Sequence, residues 1–314
     1  MRSAVRLAAG DGFRLDAVTC VDDHRGWSAP EVGSRHGLVL VRRGMFRRMA
    51  DGRAAVLDPT MAYLSVPGEE EHFAHPAGGD VCTSVSLSPR LWHKLAGEGP
   101  LPARPTLYVD ARLDLAHRRF LVAARGGDPA FELAESLLSL IGAALGQLTP
   151  APSGGGASRA ATAAATGTGS TEVSARTGRF SGGRVIKGRS GRGSGGSPGA
   201  VVRTSAAIAD AAREAIGADH PAAGGLLSLA ELLAVSPYQL SRAFTRELGV
   251  SLTHYRNRVR VGRALDRLED GETSLAGLAA DLGFADQAHL TRTIRRHAGQ
   301  TPTALRRLLA ARDS

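Results

Sequence analysis

The chain has 314 residues, enough for two domains of ordinary size. Its 39 Lys and Arg against 30 Asp and Glu give a formal net charge of +9, but residues 1–150 balance 17 basic with 17 acidic, 151–200 carry 7 against 1 and 201–314 carry 15 against 12, so net charge alone argues only weakly for an acidic partner. Two cysteines, Cys20 and Cys82, exclude a disulfide framework and a cysteine-based metal motif, no run approaches the roughly 20 apolar residues that span a bilayer, and the opening MRSAVRLAAGDG is too short and polar for a secretory signal, so a cytoplasmic chain with no membrane partner is expected.

The front of the chain predicts strands first and helices last. Leu38 to Val41 is a short apolar run, and Met45 to Met49 and Ala54 to Leu57 flank Asp51-Gly52, the strongest hairpin signal in the sequence. Ala62 to Val66 ends at Pro67-Gly68, and Val81 to Leu87 ends at Ser88-Pro89. Short strands punctuated by turn residues imply a small barrel or sandwich. Ala111 to Ala124 and Pro129 to Leu148 then have helical spacing, with Leu133, Leu137, Leu140, Ile141 and Leu145 on one apolar stripe that either packs on its own barrel or meets a second copy. His72 and His75 stand beside Glu69, Glu70 and Glu71 in an expected loop, and His36 precedes a strand as an expected structural or pocket residue.

From about Thr149 to Ala200 the chain is Gly, Ser, Ala and Thr with scattered arginines, a composition that offers too little apolar surface to offset ordering and reads as a flexible linker. Within it Gly183 to Ser190, GRVIKGRS, is a near miss to a phosphate-cradling loop. It lacks the strand before and the helix after that such a loop needs, and is assigned to chance. Its basic side chains could still touch phosphates nonspecifically.

The last third contains one segment written twice. LSRAFTRELGVSLTHYR, from Leu240 to Arg256, aligns with LTRTIRRHAGQTPTALR, from Leu290 to Arg306, and upstream Leu226, Leu229, Ala230 and Leu233 answer Leu275, Leu278, Ala279 and Leu282. Each copy predicts a short apolar helix, a tight turn and a second helix, with one extra residue in the second turn. At about 100° per residue, Leu240, Ala243 and Phe244 fall on one side of the first copy's second helix, opposite Tyr238, Ser241, Arg242, Thr245 and Arg246. In the second copy Leu290, Ile294 and His297 lie inward, and Ala288, His289, Arg292, Arg295 and Arg296 outward. Ser236 and Asp286 are placed as N-caps, Pro237 suits the first helical position, and Gly249 and Gly299 are matching stops. A helix of this kind can enter the major groove, where arginine bonds guanine bidentately and other polar groups read neighbouring bases or hold phosphates. Ser251 to Leu268 predicts a long connecting helix, with Tyr255, Val259, Leu265 and Leu268 inward and Arg256, Arg260, Arg263 and Arg267 largely outward. It would place the two units on successive turns of one duplex face, roughly 34 Å apart.

On the SPYQLSRAF run, the RVRVGRALDRL helix and the LAADLGFADQAHLTRTIRRHAGQTPTALRR block, the chain resembles the AraC/XylS family of bacterial transcription regulators over about a hundred C-terminal residues. The resemblance places Tyr238, Ser241 and Arg242 at base- or backbone-contacting positions of the first unit, and Gln287, Ala288, His289 and Arg292 at those of the second. With Gln239, Thr245, Arg246, Arg295 and Arg296 these form the candidate DNA-contacting set. Ala234 departs from the family by standing where the first turn usually has glycine, and Leu290, Ile294 and Ala298 replace positions that often hold phenylalanine.

The front half, through LVLVRRGMFRRMADGR and PGEEEHFAHPAGGD, is similar to the cupin-like front domain of a subgroup of these regulators. The expected architecture is α+β in two domains: a cupin-like barrel with C-terminal helices over residues 1–148, a linker over 149–200, and an all-α double helix-turn-helix domain over 201–314 that folds and binds DNA without the front half. A metal-binding cupin would present two histidines one residue apart on a strand; His72 and His75 are three apart, so neither metal nor cofactor is expected. The implied function is a DNA-binding transcription regulator, an activator by family resemblance, with double-stranded DNA, a small-molecule effector, RNA polymerase and a second copy as candidate partners. The competing readings are a cupin-type metalloenzyme, which lacks the ligand spacing, and a DNA-repair alkyltransferase fused to the same reader, which needs a cysteine-rich zinc-held module. A nonspecific architectural DNA protein would need no paired reading faces.

Overall fold

In the computed structural model, residues 1–97, 106–126, 131–148 and 204–310 are described. The strands are β1 Arg2–Gly10, β2 Phe13–Cys20, β3 Glu31–Val32, β4 His36–Arg43, β5 Phe46–Ala50, β6 Arg53–Leu57, β7 Met61–Ser65, β8 Glu70–Ala74 and β9 Asp80–Leu87. Helix α1 Pro89–Ala96, strand β10 Thr106–Tyr108 and helices α2 Ala111–Gly126 and α3 Glu132–Leu148 complete the front half. One antiparallel sheet runs β1-β2-β9-β4-β7-β10 and the other β3-β8-β5-β6. This two-sheet arrangement with helices after it is the architecture expected of the front half.

Strand β4 shows why its sequence is apolar without alternation. Leu38 and Leu40 join the core beneath the helices, with Leu64, Val85, Leu87 and Phe120. Val39 and Val41 join a second core between the sheets, with Phe46, Leu57 and Tyr63. Both faces are buried, so period two disappears from the hydropathy. The Asp51-Gly52 hairpin forms as expected, with Ala50 opposite Arg53 and both turn residues at positive φ, 49° and 69°. The α3 stripe packs on its own barrel: Leu133, Leu137, Leu140 and Ile141 are all buried in the front core, and Leu145 is half-buried against it.

Two elements lay outside the sequence expectation and one expectation is corrected. The β1–β2 hairpin around Asp11-Gly12 had no strand signal, because β1 is an edge strand exposed almost throughout. Helix α1 follows the strand that ends at Leu87: the Ser88 side chain caps it, and its Trp92 stacks on His36 with ring centroids 4.5 Å apart. The expected loop at His72 is strand β8, with His72 opposite Met49. Its signal was masked because Glu71 is buried, paired with the buried Arg48 guanidinium at 2.5 Å, with Glu69 at 2.6 Å on the same group. An inward glutamate breaks the polar-out pattern by which a strand is recognised.

The C-terminal half is helical: α4 Ser205–Gly217, a 3-10 turn, α5 Leu226–Leu232, α6 Pro237–Leu248, α7 Leu252–Glu269, α8 Leu275–Asp281, α9 Gln287–Ala298 and α10 Pro302–Leu309. Helix α4 lay outside the sequence expectation. The proposed linker, with its GRVIKGRS segment, lies outside the described residues. The front and C-terminal halves pack together as one body. Ala111 and Leu115 of α2 are buried in the same core as Val261, Leu265, Leu290, Ile294 and Leu305.

Candidate nucleic-acid interface

The two helix-turn-helix units are built by matched local chemistry. At α6, the Ser236 hydroxyl accepts from Gln239 N–H at 3.1 Å while the Gln239 carboxamide oxygen accepts from Ser236 N–H at 3.0 Å, a complete capping box. At α9, the Asp286 carboxylate accepts from His289 N–H at 2.5 Å. Both helices stop at left-handed glycines, Gly249 at φ 71° and Gly299 at φ 77°. The turns differ: the second uses Gly283 at φ 69°, whereas the first forces Ala234 to φ 52°. The expected departure at this position is therefore a strained alanine in an otherwise normal turn.

The apolar faces are buried as the periodicity requires, with Leu240, Phe244, Leu290 and Ile294 each fully enclosed. His297 is only half-buried, and Ala298 completes that face instead. Burial, and then the neighbouring His254 ring 4.7 Å away, hold the His297 imidazole down at about 4. On the outer faces Tyr238, Gln239, Ser241, Arg242, Thr245, Arg246, Gln287, Ala288, Arg292, Arg295 and Arg296 are exposed, and His289 is half-buried. These residues are not equally free. Arg242 donates to Tyr238 Oη at 2.7 Å and lies over its ring at 5.4 Å, so the two side chains form one unit. Gln239 spends its oxygen on the cap, leaving its NH₂ group to reach outward. His289 accepts from Ala285 N–H at 3.4 Å and packs edge-on against Phe284, which leaves its other ring nitrogen for a ligand.

The arginines of α7 are different. Arg263 bonds Asp219 and the Gly217 carbonyl, Arg267 bonds Glu272 at 2.6 Å and Asp281 at 3.3 Å, and Arg260 lies over the Phe284 ring. They are half-buried fasteners between helices, not a free basic face. Arg258 is turned inward, 1% exposed.

Sequence reasoning missed the seam that Arg258 belongs to. One Asp58 carboxylate oxygen accepts from Arg213 Nε at 2.9 Å, Arg213 Nη2 at 2.6 Å and Tyr255 Oη at 3.0 Å, while the other accepts from Thr60. Asp114 accepts from Arg118 at 3.0 Å and Arg258 at 3.1 Å; Arg258 also reaches the Val109 carbonyl, and Arg118 reaches Asp266 and Glu269 at 2.8 Å. Burial alone would raise the Asp114 carboxyl, but the Arg118 and Arg258 guanidinium groups prevail and bring it down to about 2. Asp58 is lowered in the same way, with Arg213 and Thr60 outweighing its burial. The available signal was Arg258 itself, three residues from Tyr255 on the buried phase of α7. A cavity of about 420 Å³ lies along this seam, lined from both halves by Arg42, Asp58, Asp114, Tyr255, Arg258 and Asp266.

Comparison with known proteins agrees with this geometry. Residues 229–308 match the family of helix-turn-helix domains. The arabinose operon regulatory protein of Salmonella typhimurium is 28% identical over 81 residues, 26% of this chain and 29% of that protein. Its Escherichia coli counterpart is 29% identical over 81 residues, 26% and 28% of the two chains. Each match thus spans less than a third of the relative's length. Among solved structures, the C-terminal domain of AraT, a response regulator from Geobacillus stearothermophilus, is 30% identical, with 34% of this chain and 88% of that one covered and a TM-score of 0.32. The paired units of the C-terminal third are thus similar to helix-turn-helix domains, including a segment of the arabinose operon regulatory proteins.

Proposed function

We propose that the protein is a sequence-specific regulator of transcription, an activator in the manner of its family, that reads double-stranded DNA through α6 and α9. The observation that carries this reading is the pair of in-register units, each with a buried apolar stripe and an exposed arginine-bearing face on its second helix. Arg242 and Arg292, at matched positions, serve as base readers. Tyr238, Gln239, Ser241, Thr245, Arg246, Gln287, Ala288, His289, Arg295 and Arg296 supply the remaining base and phosphate contacts. The cupin-like front half senses a small molecule or partner. A ligand in the seam cavity would touch both halves at once and so bias DNA binding, and DNA would change its affinity by the same factor.

The proposed setting is the cytoplasm, with RNA polymerase as the activated partner and a second copy on a bipartite operator. Among the described residues no helix is long and apolar enough to cross a membrane. The proposed front half binds without catalysing. Both cysteines are buried, whereas an alkyl-accepting thiolate must be reachable.

Selection of random duplexes with the purified chain tests the proposal. The expected enriched site has two dissimilar elements about one helical turn apart. Recovery of no motif would overturn sequence-specific reading, and a single short element would overturn the paired use of the units.

A further inference from the structure

Three side chains from different elements meet between the two sheets. Cys20 closes β2, Asp80 opens β9, and His75 follows β8. Cys20 and Asp80 are direct cross-strand partners, so they share one face of their sheet, and the second sheet brings His75 over them. All three are buried, and one ligand atom from each lies within 4.8 Å of the others.

Their polar atoms are only partly satisfied: Cys20 Sγ donates to Asp22 at 3.6 Å, whereas the buried His75 keeps an unpartnered nitrogen. His75 Nε2 stands 2.9 Å from Asp80 Oδ1, with the side chains only 9% and 5% exposed. That approach is the contact Asp80 Oδ1 makes, and His75 Nδ1 is buried without a hydrogen-bond partner. Buried polar atoms left in this state carry their full desolvation penalty. The other Asp80 oxygen accepts from Cys82 Sγ at 2.9 Å, which holds the carboxylate in place. The cluster borders a cavity of about 160 Å³ whose other walls include Val39, Phe46, Tyr63 and Phe73.

We propose that Cys20, His75 and Asp80 bind a divalent transition ion of the zinc class, with a fourth coordination position open to this cavity. One thiolate and one carboxylate neutralise a dication. A sulfur, nitrogen and oxygen donor set suits zinc and excludes calcium and magnesium, which take oxygen shells. Ligand pairs around a tetrahedral zinc sit roughly 3.3 to 3.6 Å apart, so the His75–Asp80 pair at 2.9 Å opens slightly while the Cys20 thiol, within 4.8 Å of both, closes in. The site is separate from His72, whose ring nitrogens face the Ser28 carbonyl at 2.9 Å and Glu70 at 3.2 Å. It is independent of DNA reading, so either proposal can fail without the other.

The test uses the full chain, stripped with a chelator and titrated with Co²⁺ as a spectroscopic probe. The expected result is one equivalent bound, with thiolate-to-cobalt charge-transfer absorption and tetrahedral ligand-field bands, displaced by one equivalent of Zn²⁺. Asp80→Asn and His75→Gln should each weaken binding by roughly tenfold or more. Cys20→Ser should abolish the thiolate band, and Cys82→Ser should keep it, with circular dichroism reporting the fold of each variant. X-ray absorption of zinc-loaded Cys82→Ser chain should show one sulfur neighbour, which reads the same ligand without altering Cys20. No thiolate band in the wild type, or a zinc shell without sulfur in Cys82→Ser, would overturn the site.

Discussion

Replacing Asp58 by asparagine preserves the side chain's shape and removes the charge that joins the two halves. Arg213 and Tyr255 donate to one oxygen of Asp58, and Thr60 donates twice to the other, at 2.7 Å from its N–H and 2.6 Å from its hydroxyl. An asparagine presents one oxygen and one NH₂, so either orientation turns donors against donors. Arg213, 3% exposed, would keep only Asp210 at 3.3 Å as a charged partner, and that carboxylate is 41% exposed and correspondingly weaker. Removing one partner of a buried pair costs about 3 to 5 kcal/mol, and the residual Asp210 contact places Asp58→Asn near the lower end, about 3 kcal/mol. Urea unfolding of the full chain measures it, beside Arg213→Met and the double variant Asp58→Leu/Arg213→Met. The double variant should be clearly less destabilised than the two single changes combined, because it leaves no stranded charge, although Tyr255 Oη and Thr60 lose their acceptor. An Asp58→Asn cost below about 1 kcal/mol, or a double variant as unstable as the two single changes combined, would refute a buried ionic seam.

Arg242→Ala and Arg292→Ala should each cost about 1 to 3 kcal/mol in DNA binding and relax preference at one end of the site only; fluorescence anisotropy on specific and random duplexes would show equal losses if the two residues hold phosphates instead. Ala234→Gly should stabilise the chain by about 1 kcal/mol in thermal or urea unfolding, because it relieves a left-handed alanine at φ 52°, while Gly283→Ala should lose a similar amount; no change in either would mean that the turns relax freely. His117 supplies the pH dependence. Its Nε2 is buried without a partner, and burial followed by the Arg42 charge brings its imidazole down to about 3. The unfolded chain takes up this proton near the ordinary 6.5, so the contribution of His117 is complete above that pH and is lost as the pH falls toward 3. Acidifying from pH 7 to pH 5 should cost about 2 kcal/mol from this residue, and His117→Leu should remove that part of the slope. An identical slope in the variant would place the proton elsewhere.

The sequence by itself determined the paired units, because each is a local object. Helix period, cap and stop all lie within some twenty residues, and duplication let the copies check one another, down to Ala234 standing opposite Gly283. Strands with turn residues between them were equally legible, as in the hairpin at Asp51-Gly52. Local pattern failed where a strand's environment broke the alternation: β1, exposed on both faces, and β8, which turns Glu71 inward against Arg48. Only the tertiary structure decided which charged residues leave water. Arg213, Arg258, Asp58 and Asp114 look like surface residues in one dimension, since a charge is expected outside unless a partner is known, and their charged partners are up to 155 positions away. The same holds for Cys20, His75 and Asp80, which share no motif spacing and meet because strand register and sheet stacking bring them within ligand distance. Residues that act through neighbours along the chain leave a periodic trace; residues that act across the fold leave none until the backbone has closed.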